Sequence, residues 1–600
     1  MSTAEQLTDH EADAARWDLL PLLGDHAGLD QLLRAATTRV ERFVQRYRGR
    51  LAELDGPGLT EAMRGLGEIT DLATRAEMYA ELTFAADSRP VENGALTQKV
   101  KEALAAFQTQ LLFFELEWNG LEDERAQGLL DAAGPELEFA AHHLRTLRSK
   151  RPYLLSEPEE RILAERRITG EQAWARLFEE RDSSMEVELD GEMVPFAIAY
   201  NDWYGPSAQK RRDAVAAMSA SFVSEVRTRA YIYNTLLHDK AVEDRLRGYP
   251  TWLSRRNLEN QVDDASVQAL IAAVRSRYDI PQRWYRTKAA LMGFGGPLPV
   301  ADQFGPLFED ETTFSYAESR ELVLSAYHQF SPQAGEIVSG FFDGGWIDAA
   351  VRPGKASGAF CGGPSASVHP YVMLNHGGHT NDVLTMAHEL GHGLHDVLAG
   401  EVGVFHWAAP LTLAETASTF GESLTLDLLL SQAPDDRTRL GLLTNALDGS
   451  MATIFRQVVF NQFEERTHNR RRTGGELSAD EITAIMVEAD TEMHGGTIEM
   501  YPGFDRFWCT VPHMFLWPGY VYAYAYGQLL SLSLYARYKE TGPDFIPRYM
   551  RMLAAGGSMP PVQIGQIVGV DLSDPEFWAS GLDLVDGQLR AIEELAPKLA

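Results

Sequence analysis

Cysteine is nearly missing: only Cys361 and Cys509 occur in 600 residues, and no CxxC pair is formed. That excludes a disulfide framework and a thiolate zinc site, and it suits a reducing compartment. Also missing is a basic, then apolar, N-terminal pattern, so residues 1–23 carry no readable secretory signal and the expected location is cytoplasmic. Basic charge is scarce, with 54 Lys and Arg against 86 Asp and Glu, a formal charge of -32. Such a surface repels phosphate backbones and anionic lipid, so neither nucleic acid nor membrane is an expected partner. One segment, Phe507 through Ala536, lacks Asp, Glu, Lys and Arg over a bilayer-spanning length. Its Pro512, Pro518, Gly519, Gly527, Gln528 and ladder of tyrosines make poor hydrocarbon and suit a buried wall or the lining of an active site.

What is present is globular. Hydrophobic residues make up 45% and charged residues 23%, and the length calls for two large lobes or one elongated multi-lobed body. The first part reads as long helices. Leu29, Leu32, Leu33, Ala36, Val40, Phe43, Val44, Tyr47 and Leu51 fall at the three-and-four spacing of one buried face, and similar patterns follow near 60–85, 95–118 and 122–147. Ser156 and Glu159 form a capping box that opens a further helix. Met185 to Phe196 alternates around Asp190-Gly191, a two-stranded hairpin. A soft boundary near 200 divides an N-terminal helical region, 1–200, from a second region, 201–600. Helical patterning resumes over 207–292 with an interruption at Gly248-Tyr249-Pro250, and a Gly/Pro-rich linker covers 293–305. Residues 355–375 predict a small sheet, and from Asp382 helices dominate again.

The chemistry concentrates at 388–422. His388-Glu389-Leu390-Gly391-His392 is HExxH on a helical pattern, so both imidazoles share one face while Val383, Ala387, Leu390 and Leu394 form an apolar stripe roughly opposite. A catalytic zinc ion takes three protein ligands and leaves the fourth position to water. His388 and His392 supply two. Downstream, 413–422 reads as a second helix with Glu415, Ser418, Thr419 and Glu422 along one side, and Glu415 is the choice for the third. Asp396 and Glu401 lie too close in sequence to fold back easily, and Leu398 stands where an astacin-like pattern requires histidine. Glu422 is placed to accept the free ring N–H of a ligand histidine. His395 is open between a role behind the metal and that of a helix-end residue. Glu389, beside a ligand but pointing elsewhere, is the general base that takes a proton from water and delivers it to the leaving amine.

The chain resembles the oligoendopeptidase F branch of the thimet-type zinc oligopeptidases. The likeness runs through Pro353-Gly354-Lys355, Ser357-Gly358-Ala359-Phe360-Cys361, Pro370-Tyr371, Leu374-Asn375 and Asp382-Val383 into the HExxH helix and His395, with earlier matches at Tyr233-Asn234, Arg247-Gly248-Tyr249, Asn257 and 288–293. It implies a mainly α, elongated multi-helix body with a deep channel, a small β-sheet beside the active site, and zinc peptidase chemistry in 201–600. It also implies one Zn2+ ion, short peptide substrates, Glu415 as third ligand, and His513 with the following tyrosines as groups that hydrogen-bond the substrate carbonyl and developing oxyanion. Tyr520 is the first choice and Tyr524 the second. A further expectation is that strand Tyr371–Asn375 pairs with an extended peptide.

Three readings follow. The favoured one is a zinc endopeptidase of short oligopeptides. A same-class alternative is a helical HExxH zinc carboxypeptidase. The other is a metal- or peptide-binding scaffold without turnover, against which Glu389 speaks, since a structural zinc site needs no base. Mn or Co suits the same ligands.

Overall fold

The computed structural model describes residues 9–308, 312–363 and 367–599. The first eight residues of the stretch without a secretory pattern lie outside them. Two compact units are formed: one from 1–151, 311–428 and 537–570, the other from 152–310, 429–536 and 571–600. They interleave along the chain, a partition different from the linear one at 200.

After the short helices His10–Ala14 and Leu20–Leu23, the first unit runs through the long helices Leu29–Tyr47, Gly56–Ala86 and Val91–Gly120. Leu32, Ala36, Val40 and Phe43 of the first long helix are buried in a common core with Trp118 of the third. Asp55 caps the second long helix by accepting the Gly58 N–H. The small sheet has strand order Ile347–Ala350, Tyr371–His376, Phe360–Gly362, the first pair parallel and the second antiparallel. Lys355 fastens it from below: its ammonium sits 2.7 Å from Asp348 and donates to the Ala350 and Leu374 carbonyls. This corrects the expectation for Tyr371–Asn375. That strand is central: Val372 to His376 lies along Ile347–Ala350 on one side, and Tyr371 to Met373 pairs with Phe360–Gly362 on the other, so over 371–373 neither edge is open to a peptide.

Helix Thr380–Ala399 follows directly, its start fixed by Asp382, whose carboxylate accepts the Gly377 and His379 N–H groups. Val383, Ala387, Leu390 and Leu394 are buried as their spacing predicts. Burying each of the larger three contributes about 1.5–3 kcal/mol, which holds this helix to the core while the opposite face stays open for its histidines.

In the second unit, helix Ala208–Arg247 is the longest element, flanked by the hairpin Glu186–Leu189 and Glu192–Pro195. Asp190 and Gly191 both take positive φ, 53 and 80, as a two-residue hairpin turn requires. Ser156 and Glu159 make the capping box read from the sequence. The run without charges folds as a 3-10 segment Phe504–Thr510 and the helices Pro512–Leu516 and Tyr522–Thr541. Among the described residues, no helix is long and apolar enough to cross a membrane.

Candidate metal centre

His388 and His392 stand one turn apart, and their Nε2 atoms approach to 3.2 Å. Each lies 3.4 Å from the same oxygen, Glu415 Oε2. The three ligand atoms therefore form a nearly equilateral triangle. A tetrahedral zinc ion with bonds of about 2.0–2.2 Å requires ligand atoms about 3.3 Å apart. The donor set, two imidazoles and one carboxylate, is also the one that open zinc sites use. The residues present fit a single such ion.

The third corner arrives differently from the way its sequence pattern suggests. Glu415 is not inside a helix. It occupies the turn after the short helix Leu411–Ala414, and the next helix, Ser418–Gln432, begins three residues later. Packing is the cause. A Cβ on Gly391 would lie 2.4 Å from the Ala417 carbonyl oxygen and 2.6 Å from Ser418 Cα, so the glycine lets the turn press directly on the HExxH helix. Ser418 Oγ then donates to Glu415 Oε2 at 2.8 Å and orients it.

Glu422 meets His388 Nδ1 in a hydrogen bond, which holds a ring N–H at Nδ1 and leaves Nε2 as the nitrogen that a metal would take in place of a proton. Tyr327 donates to the Ala387 carbonyl at 2.8 Å, steadying the turn from which His388 projects. Three carboxylates, Glu389, Glu415 and Glu422, thus surround two imidazoles, and the electrostatics call for a cation. Burial pulls the His388 pKa down, but the Glu422 hydrogen bond and the charges of Glu422, Glu415 and Glu389 lift it to about 9. Glu415, despite its burial, is held down at about 2 by the His392 hydrogen bond and the two imidazoles.

Glu389 is 6% exposed. Burial raises its pKa, against the lowering pull of His388 and His392 and a hydrogen bond from the Cys361 N–H on the edge strand Phe360–Gly362. A base poised nearer neutrality can both take and return a proton. His395 is buried on the same helix, its pKa lowered to about 4 by that burial.

Asp396 escaped the sequence reading except as a rejected ligand. It stands one turn beyond His392, feels that ring's charge, and lies 3.9 Å from the Cys361 thiol, and burial pushes its carboxyl up to about 7. The spacing that pairs His388 with His392 also pairs His392 with Asp396, a signal present in the sequence. Gly391 and Tyr327 left none, because their partners are remote along the chain.

In the second unit, the tyrosines after Pro512 are sorted by burial. Tyr522 and Tyr526 are fully buried, with the Tyr522 hydroxyl accepting from Asn260 Nδ2 at 2.9 Å. Tyr520 and Tyr524 are only half-buried. They pack around His513, whose Nε2 is 3.0 Å from the Tyr524 hydroxyl and whose ring stacks on Tyr520 at 5.8 Å.

Known proteins share this arrangement of sequence and fold. The model of peptidase family M3 matches residues 322–584, and that of oligopeptidase F matches 117–186. The group B oligopeptidase PepB of Streptococcus agalactiae is 25% identical over 98% of both chains. The oligopeptidase PepF of Bacillus subtilis is 22% identical, over 93% of this chain and 83% of its own. Among solved structures, the oligoendopeptidase-F of Enterococcus faecium superposes with a TM-score of 0.71 at 19% identity, covering 95% of this chain and 99% of its own, which shows the shared fold. By the two family models together with these near full-length relatives, the chain belongs to the oligoendopeptidase F branch of peptidase family M3.

Proposed function

We propose that this chain is a zinc-dependent endopeptidase that hydrolyses short oligopeptides in the cytoplasm. The observation that carries the reading is the triangle of His388 Nε2, His392 Nε2 and Glu415 Oε2, with edges of 3.2, 3.4 and 3.4 Å. Family membership supports the substrate class, and two free cysteines support the compartment.

The three residues would hold one ion. When bound, zinc polarises the scissile carbonyl and brings the pKa of water to roughly 7. The rest belongs to the chain. Glu389, buried beside the histidines, takes the proton of the attacking water and hands it to the leaving amine, so that each turnover returns the carboxylate. Glu422 keeps His388 in one tautomer and one orientation. His513 and Tyr520 donate hydrogen bonds to the substrate carbonyl as negative charge grows on it, and Tyr524 binds the substrate. Support for these two rings over Tyr522 and Tyr526 comes from their half-open positions beside His513.

The test uses metal-stripped protein reloaded with zinc and a quenched fluorescent peptide blocked at its C-terminus. Internal cleavage restored by zinc is the expected outcome. Cleavage confined to a peptide with a free C-terminus would make the protein a carboxypeptidase, and binding without cleavage would leave only a scaffold.

A further inference from the structure

A second buried glutamate lies outside the metal centre. Glu464, on helix Arg456–Gly474, is fully buried. Its Oε1 accepts the Gly519 N–H at 2.9 Å, while Oε2 has no hydrogen-bond partner. One turn along, His468 is buried with both ring nitrogens unpartnered and its ring stacked on Trp252 at 4.8 Å. Buried polar atoms without a protein partner lower stability, and an apolar residue of the same shape would serve packing better. What Glu464 touches gives it a use.

Gly519 sits in the turn between helices Pro512–Leu516 and Tyr522–Thr541, and the next residue is Tyr520. The turn is held on two sides. Gly519 has φ +74, and a Cβ there would come within 2.6 Å of Leu253 Cδ1 and 3.5 Å of Arg256 Cβ, so the backbone lies directly on helix Ser254–Glu259 and the residue before it. The Arg256 guanidinium stands 5.9 Å from the centre of the Tyr520 ring. From beneath, the Glu464 carboxyl grips the backbone itself.

We propose that Glu464 is a positioning residue for the peptidase reaction: through the Gly519 N–H it tethers the 517–521 turn and so sets the Tyr520 hydroxyl for substrate. The inference rests on the role given to Tyr520 above. Burial raises the Glu464 pKa to about 8 against the lowering effects of the Gly519 N–H and of Arg256 and Lys240. Tyr233 feels its charge from helix Ala208–Arg247, and His468 lies on its own helix. As pH rises through about 8 the ionised carboxylate grips the N–H more strongly and the tether tightens.

The experiment compares the full-length wild type with Glu464→Leu, Glu464→Met and Glu464→Gln. Amide exchange across 517–521 is measured alongside kcat and KM for a fluorescent peptide and zinc content. Leu and Met remove the acceptor, and two shapes guard against one misfolding. We expect faster exchange in both, kcat lowered roughly tenfold or more with zinc content unchanged, and near-normal exchange and kcat in Gln, which keeps an accepting oxygen. The wild-type exchange rate, corrected for intrinsic base catalysis, should slow through pH 8, and that of Gln should not. Unchanged exchange in Leu and Met would overturn the tether. Faster exchange with kcat intact would overturn the positioning role. A wild type without turnover would count against the peptidase reading instead, and the exchange data would still decide whether the tether exists.

Discussion

Glu389 and Glu464 are both buried glutamates with raised pKa, yet their surroundings give them different work. Glu389 faces His388, His392 and Glu415, groups that can hold a cation and exchange protons with water. Glu464 faces a backbone N–H and the more distant charges of Arg256 and Lys240. Burial alone raises a carboxyl pKa in either place, so the raised value does not identify a base. The neighbours do: on the function proposed above, the imidazole nitrogens of a metal site make Glu389 a proton carrier, and a turn amide makes Glu464 a tether.

The sharpest way to break this contrast is the same substitution at both positions. Glu389→Gln should lower kcat/KM by roughly 10²–10⁴-fold with zinc retained, whereas Glu464→Gln should stay within a few-fold of wild type. Steady-state kinetics with metal analysis on the same samples decides it. Equal losses at the two sites would mean that the neighbours do not set the roles.

Next in size is Glu422→Gln. With the carboxylate on His388 Nδ1 gone, zinc affinity should fall by roughly 10–100-fold, read by competition with a chelating dye. Undiminished affinity would detach Glu422 from the metal centre.

The His388 pKa of about 9 sharpens the electrostatic side of the comparison. In the metal-free protein this ring is protonated at neutral pH, and zinc must displace that proton. Binding near neutrality should release about one proton per ion, and affinity should rise about tenfold per pH unit until about pH 9, then level. Calorimetry in buffers of different ionisation enthalpy measures the release. Smallest is the Tyr pair: Tyr522→Phe should cost about 1 kcal/mol of stability through the lost Asn260 hydrogen bond and leave kcat intact, whereas Tyr520→Phe should lower kcat at unchanged stability. Urea melts and kinetics on both variants separate the two.

Local patterns were legible from the chain itself. The i, i+4 spacing puts His388 beside His392, and the apolar positions at 383, 387, 390 and 394 predict which face is buried. The hairpin at Asp190-Gly191 and the capping box at Ser156 follow from backbone chemistry within a few residues. The helical reading of 413–422 pointed to Glu415, and the resemblance pointed there too. What stayed hidden depends on partners far apart in sequence. The break at 415–417 lies in a stretch read as helix from its spacing, and it accompanies the close approach of Ala417 and Ser418 to Gly391. The order of the three-stranded sheet, which puts Tyr371–His376 in the centre, is set by tertiary pairing. So is the Glu464 contact, made across 55 residues.

The proposed chemistry requires one ion held by three side chains, and anomalous scattering from a crystal grown with zinc tests that most directly. The predicted result is a single peak about 2.0–2.2 Å from His388 Nε2, His392 Nε2 and Glu415 Oε2. A peak elsewhere, or one that Glu415 does not touch, would contradict it.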